Sequence, residues 1–439
     1  MTRKMKDSSV EWVGMIPDGW KCPKLKTICT CKGRIGFRGY TVEDLVDEGD
    51  GAITLSPTNI VDSKLSLAKC SYISWDKYYE SPEIMVNEGD VILVKTASVG
   101  KCTIYTSSLP ATVNPQFVVF KDVNCSNRFL YYNLQSDYIQ KQIKLSCMGS
   151  VIPTLTQGEI LSYRIPLPSL ADQERIADYL DAKCASIDDV IAKTNESIEE
   201  YKKLKQAVIT EAVTKGVRGK RPMKDSGLDW VGQIPKEWRK ARVKQVASRV
   251  TDGAHVSPET DNGEFDFVST VNVDDFGNID YENSLKTSKS SYYQLLANNC
   301  KPHKNDVLIS KDGSVGRTAI VKEERDFVVS SSLVIISPKQ DIVCSRYLNY
   351  NLKSSYIQER LLLLMHGAGL KRVSIEKNAN LPVLLPSLDE QQEIADYLDS
   401  KCAAIDTLIS KKQQFIDELT AYKKSLIYEY VTGKKEVPA

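Results

Sequence analysis

Three stretches of this sequence carry residue types that could do chemistry. Asn114-Pro115-Gln116-Phe117 is close to an Asn-Pro-Pro-aromatic loop, which suits methyl transfer to an amino group. Its third residue is Gln, no Gly-rich cofactor loop precedes it, and the matching place later in the chain holds Ser330-Ser331-Ser332-Leu333. Gly100-Lys101-Cys102 is close to the end of a phosphate-binding loop. The first glycine of that pattern would fall at Lys95, and Cys102 stands where a metal-binding hydroxyl belongs. His255 and Asp252 in Thr251-Asp252-Gly253-Ala254-His255 could form an acid–base couple, but no nucleophile accompanies them and the first half has no counterpart. The eleven cysteines are scattered without a Cys-x-x-Cys pair, and there are only three histidines, so reduced thiols are expected and a metal site is not. No catalytic centre is legible.

The elements that would position any site are written twice. Pro168-Ser169-Leu170-Ala171-Asp172-Gln173-Glu174-Arg175-Ile176-Ala177-Asp178-Tyr179-Leu180-Asp181 returns from Pro386 to Asp399, an offset of 218 residues. Glu11-Trp12-Val13-Gly14 returns as Asp229-Trp230-Val231-Gly232 at the same offset. These segments, rich in Pro and Gly, read as entry strands whose tryptophans pack on the domain behind. The apolar runs Val91-Ile92-Leu93-Val94 and Val307-Leu308-Ile309-Ser310 read as buried strands. Each leads to a turn ending in a cation, Ser98-Val99-Gly100-Lys101 and Ser314-Val315-Gly316-Arg317. Such a turn suits either approach to a phosphate backbone or a solvated hairpin tip. Arg128–Gln140 and Arg346–Gln358 read as an amphipathic helix, with Phe129, Tyr132 and Ile139 on its apolar face. A Gly-rich stretch before the second long helix ends in Lys371-Arg372.

The repeated motif opens a long helix in each half. Leu180, Ile187, Ile191 and Ile198 in the first, and Leu398, Ile405, Ile409 and Ile416 in the second, recur at alternating spacings of four and three. This is a coiled-coil seam. Thr194, Lys205, Lys412 and Lys423 are polar seam positions suited to setting register. With no Pro or Gly over 172–215 or 390–432, each helix makes a rod of roughly 65 Å. Gly216 and Gly433 suit helix ends. The expected fold is mixed α+β: two α/β domains separated by two long antiparallel coiled-coil helices, with an internal two-fold pseudo-repeat. The expected divisions are 1–167 and 220–385 for the domains, and 168–219 and 386–437 for the helices.

At 439 residues, with 42% hydrophobic content and no apolar run long enough to span a membrane, the chain reads as a soluble, cytoplasmic protein. Its net charge of +1 is weak for a nucleic-acid binder acting alone.

The paired helix starts at 168 and 386, together with the two Trp-Val-Gly segments, resemble those of the specificity subunit of Type I restriction–modification systems. The resemblance covers nearly all of residues 6–437. It implies two target-recognition domains that each read one half of a bipartite DNA site, with helices that set the unread gap. It also implies docking of two methyltransferase subunits, with translocating nuclease (restriction) subunits completing the complex. S-adenosylmethionine, ATP and Mg²⁺ would be used by those partners, with no cofactor and no catalysis in this chain. The alternatives are a stand-alone DNA methyltransferase and a coiled-coil adaptor with no DNA role.

Residues 30–56 barely resemble 248–274, so the two half-sites should be unlike. Candidate contacts to double-stranded DNA are Lys32, Arg34, Arg38, Tyr40 and Lys101 in the first domain. In the second they are Thr251, Asp252, His255, Lys311, Asp312, Ser314, Arg317, Lys371 and Arg372. Arg and Lys suit guanine edges or phosphates, and the aspartates suit cytosine or the orientation of an arginine. With so little net charge, the isolated chain is expected to bind duplex DNA weakly and with a steep salt dependence, measurable by fluorescence anisotropy. Tight sequence-specific binding by the chain alone would contradict this.

Overall fold

The computed structural model describes residues 3–34, 39–147, 151–228, 230–260, 263–365 and 371–438. The chain forms two compact units. One combines Met1–Lys193 with Phe415–Ala439, and the other is Thr194–Gln414. Each unit therefore contains part of both long helices, Leu170–Lys215 and Leu388–Val431.

The middle layer of the first unit is a four-stranded antiparallel sheet in the order Cys102–Ile104, Val91–Val94, Phe117–Lys121, Thr30–Lys32. The second unit repeats that order with Thr318–Ile320, Val307–Ser310, Leu333–Pro338 and Ala247–Asp252. Its central strands are unbroken apolar runs because both faces are buried. Val91 and Leu93 join the core shared with the long helices, whereas Ile92 and Val94 join a core on the opposite face. Val307 and Ile309 are likewise separated from Leu308. That opposite core lies against a second sheet, five-stranded in the first unit and three-stranded in the second, which carries one parallel pair in each unit. The pairs are Gly51–Leu55 with Ala111–Val113, and Phe265–Val268 with Phe327–Val329.

The expected single amphipathic helix is two helices in each unit: Asn127–Gln135 then Asp137–Ser146, and Ser345–Lys353 then Ser355–Leu364. Ser136 and Ser354 break them. Each serine has an extended backbone, and each hydroxyl donates back to the carbonyl three residues earlier, at Asn133 and Asn351. Local capping outcompetes helix continuation here. Of the entry-segment tryptophans, Trp20 and Trp238 are buried, while Trp12 and Trp230 stay more than a third exposed.

The repeated motif has a direct physical reading. Ser169 and Ser387 cap the long helices, accepting from the backbone N–H groups of Asp172 and Glu390. Gln173 and Gln391 are buried. The Gln173 amide donates to the Pro168 carbonyl at 3.0 Å and accepts from the Ser126 N–H at 2.8 Å. Gln391 donates to the carbonyls of Pro386 and Ile342 and accepts from the Cys344 N–H at 2.9 Å. Both glutamines thereby fasten the start of a long helix to the start of a short one. Arg128 adds ion pairs to Glu174, Asp178 and Asp181, and Tyr132 donates to Asp181 at 2.6 Å. Arg346 and Tyr350 repeat this on Asp396 and Asp399.

The seam residues Leu180, Ile187, Ile198, Leu398, Ile405, Ile409 and Ile416 are buried, and Ile191 is half-buried. Its three lysine positions are matched across the helix pair. Lys423 meets Asp188 at 2.6 Å and Tyr179 lies on Tyr430 in the first unit. Lys205 meets Asp406 at 2.7 Å and Lys412 lies over Tyr201 in the second. In both units partner numbers fall as residue numbers rise, so the helices run antiparallel. Gly216 and Gly433 end the helices with positive φ, as expected.

Replacing Gln391 with Leu leaves the part-buried Cys344 N–H and Ile342 carbonyl and the buried Pro386 carbonyl without these partners. The expected loss is about 2–3 kcal/mol of stability. It would appear in urea unfolding as a lower midpoint with an unchanged slope, and an unchanged midpoint would refute it.

Candidate nucleic-acid interface

The two hairpins that carry the expected basic tips have the same backbone. Gly100 donates to the Val94 carbonyl at 3.0 Å, and Gly316 to that of Ser310 at 3.0 Å. Both glycines have φ near +90°. Gln140 and Gln358 donate to the carbonyls of Gly100 and Gly316, each at 3.0 Å, tying the tips to the short helices. The next layer of the site also repeats. An antiparallel bridge joins Thr96 to Thr154 and, 218 residues on by one partner, Asp312 to Arg372. Lys95 N–H donates to the Gln116 carbonyl as Lys311 N–H donates to that of Ser332.

The side chains placed on this common frame differ. In the second unit the structure gathers five of the expected residues into a line of charges. Arg372 Nε lies 3.2 Å from Asp312 Oδ1, and Lys311 Nζ lies 3.1 Å from Asp312 Oδ2 and 3.5 Å from Asp252 Oδ2. His255 Nε2 is 3.1 Å from Asp252 Oδ1. The middle of the line is buried, with Asp252, Lys311 and Asp312 at 7, 8 and 9% exposure. The ends are open, the side chains of Arg372 and His255 being 62 and 70% exposed. Buried charges need partners, so the three inner residues set the geometry of the line and its two ends meet solvent. In the first unit the corresponding bridge carries only the two threonine hydroxyls.

Other expected residues are placed as follows. Lys32, Lys101, Ser314 and Lys371 are exposed, and Thr251 and Tyr40 are half-buried. Arg317 is engaged, with Nε 2.8 Å from Asp275 and Nη1 donating to the Val273 carbonyl. Arg34 is turned inward at 5% exposure, donating to the Val113 carbonyl and the Thr112 hydroxyl with its guanidinium over the Tyr40 ring. Burial lowers its pKa, partly offset by Tyr40, Glu80, Glu83 and Asp44. This differs from the exposed position expected for it, because the Val113 carbonyl and the Thr112 hydroxyl take up its N–H groups inside the fold. Arg38 lies outside the described residues.

The stretches considered for catalysis have structural roles. Asn114 closes the turn between two strands by accepting from the Gln116 N–H at 2.9 Å. Burial pushes the Cys102 thiol up to about 12, which makes it a poor nucleophile. Among the described residues, no group of three or more His, Cys, Asp or Glu could hold a metal ion, and no helix is long and apolar enough to cross a membrane.

The Type I restriction modification DNA specificity domain matches this sequence twice, over residues 17–200 and 235–418. The chain belongs to that family. It is 25% identical to the Type I restriction enzyme MjaVIII specificity subunit of Methanocaldococcus jannaschii, over 81% of each chain. It is 24% identical to the Type I restriction enzyme EcoBI specificity subunit of Escherichia coli, over 76% of this chain and 71% of that one. A solved structure described as the structural basis of complex assembly and conformational transition of the type I R-M system shares the fold. It covers 96% of this chain and 99% of its own, with a TM-score of 0.66 at 18% identity. Like other Type I specificity subunits, the chain recognises DNA by sequence and is not itself the catalyst.

Sequence reasoning missed the buried glutamines Gln173 and Gln391 and the surface clamps of Arg128 and Arg346. Their signal was present, because all four recur at the 218-residue offset.

Gly253 sits where an added Cβ would overlap the Val329 carbonyl, because the Ala254 N–H donates to that carbonyl at 2.8 Å. Gly253→Ala should cost about 1–3 kcal/mol and displace Asp252 and His255. Ser314→Ala, on an exposed tip, should stay within about 0.5 kcal/mol. Thermal unfolding of both variants checks this, and equal stability would contradict it.

Proposed function

We propose that each unit reads one half of an asymmetric bipartite site in double-stranded DNA, through the loops at the hairpin tips and the bridge beside them. The observation that supports this is the constant frame with changed side chains. Lys95, Thr96 and Thr154 in one unit stand where Lys311, Asp312 and Arg372 stand in the other. A frame held by backbone hydrogen bonds and buried glutamines keeps its shape while exposed groups vary, which is what reading unlike base sequences requires. The exposed lysines Lys32, Lys101 and Lys371 suit phosphates, and the charged line from Arg372 to His255 suits base edges.

In this proposal the long helices set the unread gap and dock two methyltransferase subunits, and restriction subunits join to complete the cleaving complex. Leu170, Val190 and Tyr422 are exposed on the helices of the first unit, as are Leu388, Leu408 and Leu204 at the same offset in the second. Two equivalent apolar sets suit two copies of one partner. S-adenosylmethionine, ATP and Mg²⁺ act in the partner subunits, in the cytoplasm.

The test is a long-read map of adenine methylation in cells with the gene intact, deleted, or carrying residues 30–56 of a relative. One asymmetric bipartite motif should vanish on deletion, and the loop exchange should change one half of it alone. Persistence of every motif after deletion would overturn the proposal, and a loop exchange without effect would overturn the assignment of reading to the loops.

A further inference from the structure

We propose that Arg372 reads a guanine in the half-site taken by the second unit, with Asp312 as its positioning residue. The inference rests on the DNA-reading role above and names the base. Asp312 and Arg372 face each other across an antiparallel bridge, and the Val373 N–H donates to the Lys311 carbonyl at 2.9 Å, so backbone pairing holds both residues. Asp312 Oδ1 lies against Arg372 Nε at 3.2 Å, and the other carboxylate oxygen takes Lys311 Nζ at 3.1 Å. Lys311 is in turn held by Asp252. The carboxylate is therefore held from behind, and it meets the inner nitrogen of the guanidinium in an ion contact. Among the described residues the two terminal nitrogens of Arg372 have no partner, and the side chain is 62% exposed.

With Nε against this carboxylate and most of the side chain exposed, the two terminal nitrogens are open to a ligand as a pair. That pair matches the side-by-side acceptors O6 and N7 of guanine in the major groove. The other cations lack this presentation. Arg317 spends Nε on Asp275 and a terminal nitrogen on the Val273 carbonyl, and Lys32, Lys101 and Lys371 are point charges on flexible stems. The equivalent bridge in the first unit pairs Thr96 with Thr154, so this guanine preference belongs to one half-site alone.

The experiment maps the methylated motif produced by the complete complex in cells carrying wild type, Arg372→Ala, Arg372→Gln or Asp312→Asn. With Arg372→Ala, one guanine position in one half-site should become degenerate, its preference over other bases falling about 10- to 100-fold, while the other half-site keeps its sequence. Arg372→Gln should move the preference at that position toward adenine, the base whose N6 and N7 a glutamine amide matches. Asp312→Asn should relax the same position and no other, which a merely structural role would not do. A wild-type motif with no guanine in either half, an unchanged motif in Arg372→Ala, or an even fall in methylation at all sites would each overturn the inference, the last marking a phosphate contact. If Arg372→Ala abolishes methylation, Asp312→Asn decides. Relaxation at one guanine supports the inference, and either an unchanged motif or total loss counts against it. Absence of any wild-type motif would instead remove the DNA-reading role itself.

Discussion

The structure depends on one constraint: the first turn of each long helix must be fastened to a globular layer whose own polar groups are buried. Gln173 and Gln391 meet it. Each side-chain amide satisfies a backbone donor at the start of a short helix and a backbone acceptor beside its own helix cap. In a dry junction such groups are expensive to leave alone. The arginine clamps on Asp181 and Asp399 lie about two turns further on, at the surface, where ion pairs add less and chiefly fix direction.

The helix junction and the sheet are each held by their own hydrogen bonds. The same strand order and the same bridges serve both units. On that frame one unit carries threonines and the other a buried chain of charges from Asp252 through Lys311 to Asp312. A buried ion network adds little net stability but imposes geometry strictly, since removing any member strands another charge. That suits a surface whose task is to hold polar groups at set positions against base edges.

Much of this was legible in the residues. The 218-residue offset, the alternating spacing of Leu180, Ile187, Ile191 and Ile198, and the glycines at 216 and 433 announce the repeat and the helices, because periodicity and backbone conformation are local properties. The runs Val91–Val94 and Val307–Ser310 announce strands buried on both faces for the same reason. Ser136 and Ser354 were less readable, since a serine within an amphipathic pattern either continues a helix or caps one, and packing decides.

The sequence alone determined that the chain is two copies of one unit joined to long helices, and that their recognition loops differ, because likeness and unlikeness at a fixed offset need no coordinates. Tertiary structure alone decided which polar residues face solvent. Arg34 and Arg372 are both arginines near a glycine-rich stretch. One is drawn inward by the Val113 carbonyl and the Tyr40 ring, and the other lies against Asp312 with most of its side chain exposed. Val113 lies 79 residues from Arg34, and Asp312 is similarly remote from Arg372, so only folding brings these partners to the side chains they hold.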